Sequence, residues 1–219
     1  MRVLFDGPVP IAYGQVYVTS FDGSYAMEGH FAGQRNGLCG AVIPGDLFLT
    51  VGTRDGDVRF TVELHETEPP APAEEWQDVV EAPFILRSAS VALVPWGTGV
   101  LAELPLTSDT PSLPRFRVRY CAQNMDEGNK PYGAFDPDEI ADDDYTWMDQ
   151  RPDRYLLSFW PENNGDNPAA EAQPAGSPRP VDAPPATSSP SPDAIVRQSS
   201  ETAAYWHSWA ATLPAPPSS

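Results

Sequence analysis

Positive charge is scarce in this chain. Its 13 Lys and Arg face 31 Asp and Glu, lysine occurs once, at Lys130, and the formal net charge is −18. Such a balance argues against bare nucleic acid as a partner, because phosphate binding needs clustered Lys and Arg. An anionic membrane surface is disfavoured for the same reason. No apolar run approaches the ~20 residues of a membrane span. Met1–Pro10 holds one arginine and no apolar core, so a cleaved leader is not expected. Cys39 and Cys121 are then expected to be reduced, buried thiols in a cytoplasmic protein.

Catalytic groups are equally sparse. The histidines are His30, His65 and His207, and neither a Gly-x-Ser-x-Gly elbow nor a phosphate-binding loop is present. The spacing of His30, Cys39, His65 and Cys121 matches no zinc pattern, and Asp136–Asp144 lacks the central Gly and closing Glu of an EF-hand. No metal and no cofactor are expected. The one catalytic alternative is an enzyme using His65 with Glu63, neighbours on the wet face of a strand.

What the chain does have is short β-type segments separated by turn residues. Pro10–Ser20 reads as a strand, rich in aromatic and β-branched residues. Asp46–Arg54 and Asp57–Glu66, separated by Asp55-Gly56, read as a hairpin. In the second arm Val58, Phe60, Val62 and Leu64 alternate with Arg59, Thr61, Glu63 and His65, one core face and one wet face. Further strands are expected over Trp76–Leu86, with Pro83 marking an edge or bulge, and over Ser88–Trp96, Val100–Leu104, Arg115–Cys121 and Arg154–Trp160. Asn36-Gly37 reads as a tight turn. Arg115, Arg117 and Arg119 share a strand face and should form a cross-strand ion ladder with Glu63 or Glu81. About eight strands with turns roughly every ten residues predict a mainly β fold, an antiparallel, jelly-roll-like β-sandwich over residues 1–161.

Two segments stand apart. Residues 126–153 form an acidic insertion too long for a hairpin loop, in which Asp136, Asp138, Asp142, Asp143 and Asp144 are interleaved with aromatics including Tyr145 and Trp147. Residues 162–190 are rich in Pro, Ala and Ser, too poor in large apolar groups to fold alone, and read as a disordered linker. Beyond it, Ser191-Pro192-Asp193 has the form of a helix start. A helix over 191–213 would carry Val196, Ala203, Trp206, Trp209 and Leu213 on one stripe. That stripe would either dock on the sheets or bind the groove of a partner.

The succession Ile11, Tyr13, Gln15, Tyr17 and Val18, then the Phe60 strand, Val79–Phe84, the Phe116–Tyr120 strand and Tyr155–Trp160 resembles the competence protein J family. The resemblance covers most of the chain up to Pro161. It implies a small acidic β protein that inhibits a DNA-entry nuclease, with no catalytic residues to carry over. This chain departs from the family in its length, its acidic insertion, its linker and its terminal helix.

Together these features predict a non-catalytic acidic binding protein for a basic protein partner, a nuclease inhibitor or immunity-like protein being the concrete form. Asp136, Asp138, Asp142, Asp143, Asp144, Tyr145 and Trp147 are the expected contact residues, mimicking the charge pattern of a nucleic-acid strand. The alternative is a scaffold whose Trp-rich C-terminal helix binds the partner.

Overall fold

The computed structural model describes residues 1–20, 26–107, 115–130, 150–162 and 193–215. In chain order the elements are β1 (Arg2–Ile11), β2 (Gln15–Thr19), α1 (Met27–Phe31), β3 (Cys39–Gly40), β4 (Asp46–Thr50), β5 (Gly56–Leu64) and β6 (Asp78–Ile85). There follow β7 (Ser90–Pro95), β8 (Ala102–Pro105), β9 (Arg115–Gln123), α2 (Met125–Gly128), β10 (Gln150–Pro161), β11 (Ala194–Arg197) and α3 (Glu201–Ala210). The protein is mainly β, with two sheets and a C-terminal helix. One sheet runs β1-β5-β10-β9-β6-β11 and the other β3-β4-β2-β7-β8.

The period-2 pattern of β5 behaves as its sequence implies: Val58, Phe60 and Val62 are buried while Arg59 is exposed. Val16, Val18, Leu47, Leu49 and Leu93 of the second sheet meet Phe60, Val80, Phe84, Tyr120 and Leu157 of the first in a single core cluster. Burying each such side chain contributes about 1.5–3 kcal/mol. At one end of this core Phe60, Tyr120 and Tyr155 stack, with Tyr120 and Tyr155 centroids 5.6 Å apart.

Four expectations are corrected. Pro10–Ser20 is not one strand, because Tyr13 (φ 56°) and Gly14 (φ 68°) both take positive φ, as in a type I′ turn. The chain there leaves the first sheet for the second. Asp55-Gly56 closes no hairpin, since β4 pairs with β2 and β3 while β5 pairs with β1 and β10. Residues 51–55 instead carry the chain between sheets. Nor are the sheets wholly antiparallel: β10 lies between β5 and β9 and runs parallel to β5, Tyr155 opposite Phe60. Finally, the helix expected over 191–213 begins only at its N-cap Ser200, whose hydroxyl accepts from the Ala203 amide at 3.0 Å. Ile195 and Val196, β-branched neighbours, lie in β11, which pairs with β6. Val196 is therefore off the helix and exposed.

Among the described residues no helix is long and apolar enough to cross a membrane. The linker 162–190 falls almost wholly outside the described residues.

Candidate functional site

The acidic insertion is approached through its two ends. Asp136, Asp138, Asp142, Asp143, Asp144, Tyr145 and Trp147 lie outside the described residues. The described chain stops at Lys130, just beyond α2, and resumes at Gln150, the first residue of β10. These two roots are held against each other. The Arg151 guanidinium donates to the Gly128 carbonyl at 3.1 Å, and Asn124 Nδ2 donates to the Pro152 carbonyl at 3.1 Å. Asn124 sits at φ 60°, a left-handed position that asparagine tolerates.

Beneath the roots lies Asp153, fully buried. Its carboxylate accepts from the Thr53 amide at 2.9 Å, the Thr53 hydroxyl at 2.6 Å and the Tyr155 hydroxyl at 2.5 Å. Tyr155 in turn accepts from the Gly52 amide at 2.7 Å. Burial, reinforced by the Asp153 charge, pushes the Tyr155 phenol well above its ordinary range, so it stays a donor to that carboxylate. Two glycines allow this close fit: a Cβ on Gly128 would come within 2.5 Å of Asp153 Cγ, and one on Gly52 within 2.3 Å of the Met125 carbonyl oxygen.

The C-terminal segment is strapped beside these roots by three carboxylates. Asp126 of α2 accepts from the amides of Glu201 (3.0 Å) and Thr202 (2.8 Å) and from the Thr202 hydroxyl (2.7 Å). Buried Asp78 accepts from the amides of Ser199 (2.7 Å) and Ser200 (3.0 Å). Both therefore cap the start of α3, where backbone N–H groups lack helical partners. In the reverse sense, Asp193 of the strap accepts from the amides of Arg35 (2.8 Å) and Asn36 (2.7 Å).

The helical stripe faces inward. Ala203 and Ala210 are fully buried. Trp206 packs on the main core, and Trp209 and Leu213 pack on a second cluster formed by Phe31, Phe48 and Ala210. The Gly37 amide donates to His207 Nδ1 at 3.0 Å. An open cavity of about 540 Å³ lies between α2 and α3, lined by Asp126, Lys130, Thr202, Tyr205 and Trp206 among others.

These contacts make the strap acid-sensitive. Burial works against the Asp126 charge, but hydrogen bonds from Thr202 and Glu201 and the charge of Lys130 outweigh it, leaving its carboxyl below the ordinary 3.8. Burial lowers His207 below its ordinary 6.5, although Asp78 and Asp193 oppose that shift. Neutral His207 thus stabilises docking fully above pH 6.5, and that contribution falls as pH drops toward its depressed folded value. The Asp126 contribution is present above 3.8 and is lost as pH falls through its own lowered value. The denaturant needed to shift Trp206 and Trp209 emission to the red should therefore fall below pH 6.5 and fall again below 3.8. Asp126→Asn should flatten the lower part of that dependence, and a profile unchanged in this variant would contradict the role of the Asp126 charge.

The other candidates are engaged in the scaffold. Arg117 and Arg119 both pair with Glu81, at 3.1 and 2.9 Å, as the ladder reading expects. Arg119 also donates to the Pro70 carbonyl at 2.6 Å and lies over the Trp160 ring. Glu63 pairs instead with His65 at 2.9 Å. His30 is buried 3.0 Å from Asp46, a contact no local pattern announces. Burial pushes the Cys121 thiol up to about 12, and Cys39 further, so neither offers a thiolate near neutrality. Among the described residues no three metal-ligating side chains cluster.

No family model matches the chain, and no curated protein matches it. Among solved structures it is similar to ComJ from Bacillus subtilis, inhibitor of the DNA degrading activity of NucA, with a TM-score of 0.43, 9% identity, and coverage of 74% of this chain and 98% of that one. It is also similar to the crocagin biosynthetic gene J product, with a TM-score of 0.40, 15% identity, and coverage of 74% and 97%. Both are distant likenesses of fold.

Proposed function

We propose that this chain is a non-catalytic binding protein that takes a basic protein partner on its acidic 131–149 region, in the manner of a nuclease inhibitor. The observation that carries the reading is the pair of fixed roots. Gly128 and Arg151 are joined directly, and Arg151 also donates to the Thr53 hydroxyl, which in turn donates to buried Asp153. The roots that flank Asp136, Asp138, Asp142, Asp143 and Asp144 in the sequence are therefore fixed in a defined place. Fixed roots lower the entropy lost when the segment between them binds, and the net charge of −18 steers a basic partner toward it.

The body that presents it is read as a β-sandwich, and the Trp stripe as an internal strap, since Trp206 and Trp209 already pack on the body. The non-catalytic role and the cytoplasmic setting belong to this proposal; His65 and Glu63, 2.9 Å apart, form the pair that a catalytic alternative would use. The test is inhibition of DNA-degrading nucleases, NucA and others of basic charge, by the full chain. Inhibition at low salt should weaken as salt rises. Replacing Asp142, Asp143 and Asp144 together by Asn should weaken it by about tenfold or more. Undiminished inhibition by that variant would sink the reading.

A further inference from the structure

Two aromatic side chains stand in solvent at the same end of the molecule as the acidic roots. Tyr13 is 56% exposed and Trp96 43%, with ring centroids 5.0 Å apart at 69°. Val100 and Leu101 are exposed in the same β7–β8 connection as Trp96. Neither ring belongs to a buried cluster. Tyr13 nonetheless holds φ 56°, which glycine or asparagine would take with less strain. Strain of this kind at an exposed ring points to a role outside folding.

The pair is wired to the acidic roots. Gly14 donates to the Arg54 carbonyl at 2.9 Å, and Val51 donates to the Gly14 carbonyl at 3.1 Å. Two residues along the same loop, Thr53 binds Asp153. The Tyr13-Gly14 turn and the roots of the acidic region thus share one continuous hydrogen-bonded platform. The Tyr13 ring already attracts a guanidinium, with Arg54 Cζ 5.6 Å from its centroid.

We propose that Tyr13 and Trp96 are the aromatic half of the partner-binding face, taking arginine side chains of the basic protein on their rings. The inference rests on the function proposed above and adds a chemistry to it. The carboxylates supply attraction for any cation, whereas the rings favour the flat, weakly hydrated guanidinium over an ammonium.

Octaarginine and octalysine carry equal charge and separate the two contributions. Titrated into the full chain at fixed ionic strength, octaarginine should bind about threefold or more tighter than octalysine. The double variant Tyr13→Asn, Trp96→Ser should weaken octaarginine binding more than octalysine binding and so lose most of the arginine preference. The Asp142, Asp143 and Asp144 to Asn variant should bind both peptides several-fold more weakly and keep the preference. Tyr13→Asn alone should melt about 2 °C higher as the turn relaxes, so reduced discrimination cannot be ascribed to misfolding. A wild-type chain without preference, or a double variant that retains it, overturns this inference and leaves the acidic reading standing. Unchanged binding of both peptides by the Asn variant overturns the acidic reading itself.

Discussion

Replacing Asp153 by Ala should lower the melting temperature by about 10 °C. The carboxylate is fully buried and accepts from Thr53 N, Thr53 Oγ1 and the Tyr155 hydroxyl. Removing it strands those donors away from water, at about 1–3 kcal/mol for each group that finds no substitute. A loss of ~3–5 kcal/mol is the expected total, and in a domain of this size each kcal/mol moves the melt by about 2–4 °C. Asp153→Asn keeps an acceptor oxygen and should fall between. Tyr155→Phe on its own removes one donor, and combined with Asp153→Ala it should cost less than the sum of the two, because the partners are shared. A shift below about 2 °C for Asp153→Ala would mean that the surroundings re-pair freely and that the roots above it are not held as described.

The second large effect is expected at Gly37. A Cβ built there would lie 2.0 Å from the Trp206 carbonyl oxygen and 2.3 Å from its carbon, with His207 N at 3.0 Å. All three are backbone atoms, so no rotamer change relieves the overlap. Gly37→Ala must push α3 off the loop, break the bond from the Gly37 amide to His207 and unseat Trp206. Overpacking of this kind costs about 1–3 kcal/mol or more. The readouts are a red shift of tryptophan emission and faster proteolysis near Arg197, with the β-sheet circular dichroism retained. An unshifted emission spectrum would show that the strap tolerates the methyl group. Asn36-Gly37 looked in the sequence like a turn chosen for positive φ. Neither residue has one; Asn36 instead accepts from the Leu38 and Cys39 amides, and Gly37 serves close approach.

That difference is typical of what could be read from residues alone. Alternation in β5 and β9 is local, so the buried face of β5 and a cross-strand ladder for Arg117 and Arg119 were legible, though not the choice of Glu81 over Glu63. Partner choice between distant strands is not local. Nothing in Arg154–Trp160 says that it lies between β5 and β9, or that it runs parallel to β5. Tyr13 hid a turn because tyrosine is a strand residue by composition. Val196 was absorbed into a helical stripe because a four-residue strand is too short for its alternation to stand out. At the site, the carboxylates that mattered to the strap were Asp78, Asp126 and Asp193, far apart in sequence and joined only by folding. The run Asp142–Asp144 was conspicuous, and its test is binding.

The central position of β10 has a consequence for synthesis. Until residue 161 has left the ribosome, the first sheet exists only as two separate pairs, β1 with β5 and β6 with β9. Each pair then carries an open edge, on β5 and on β9, of the sort that recruits other chains. The late strand closes both edges at once, so release of a chain ending before β10 should yield aggregates rather than a smaller folded domain.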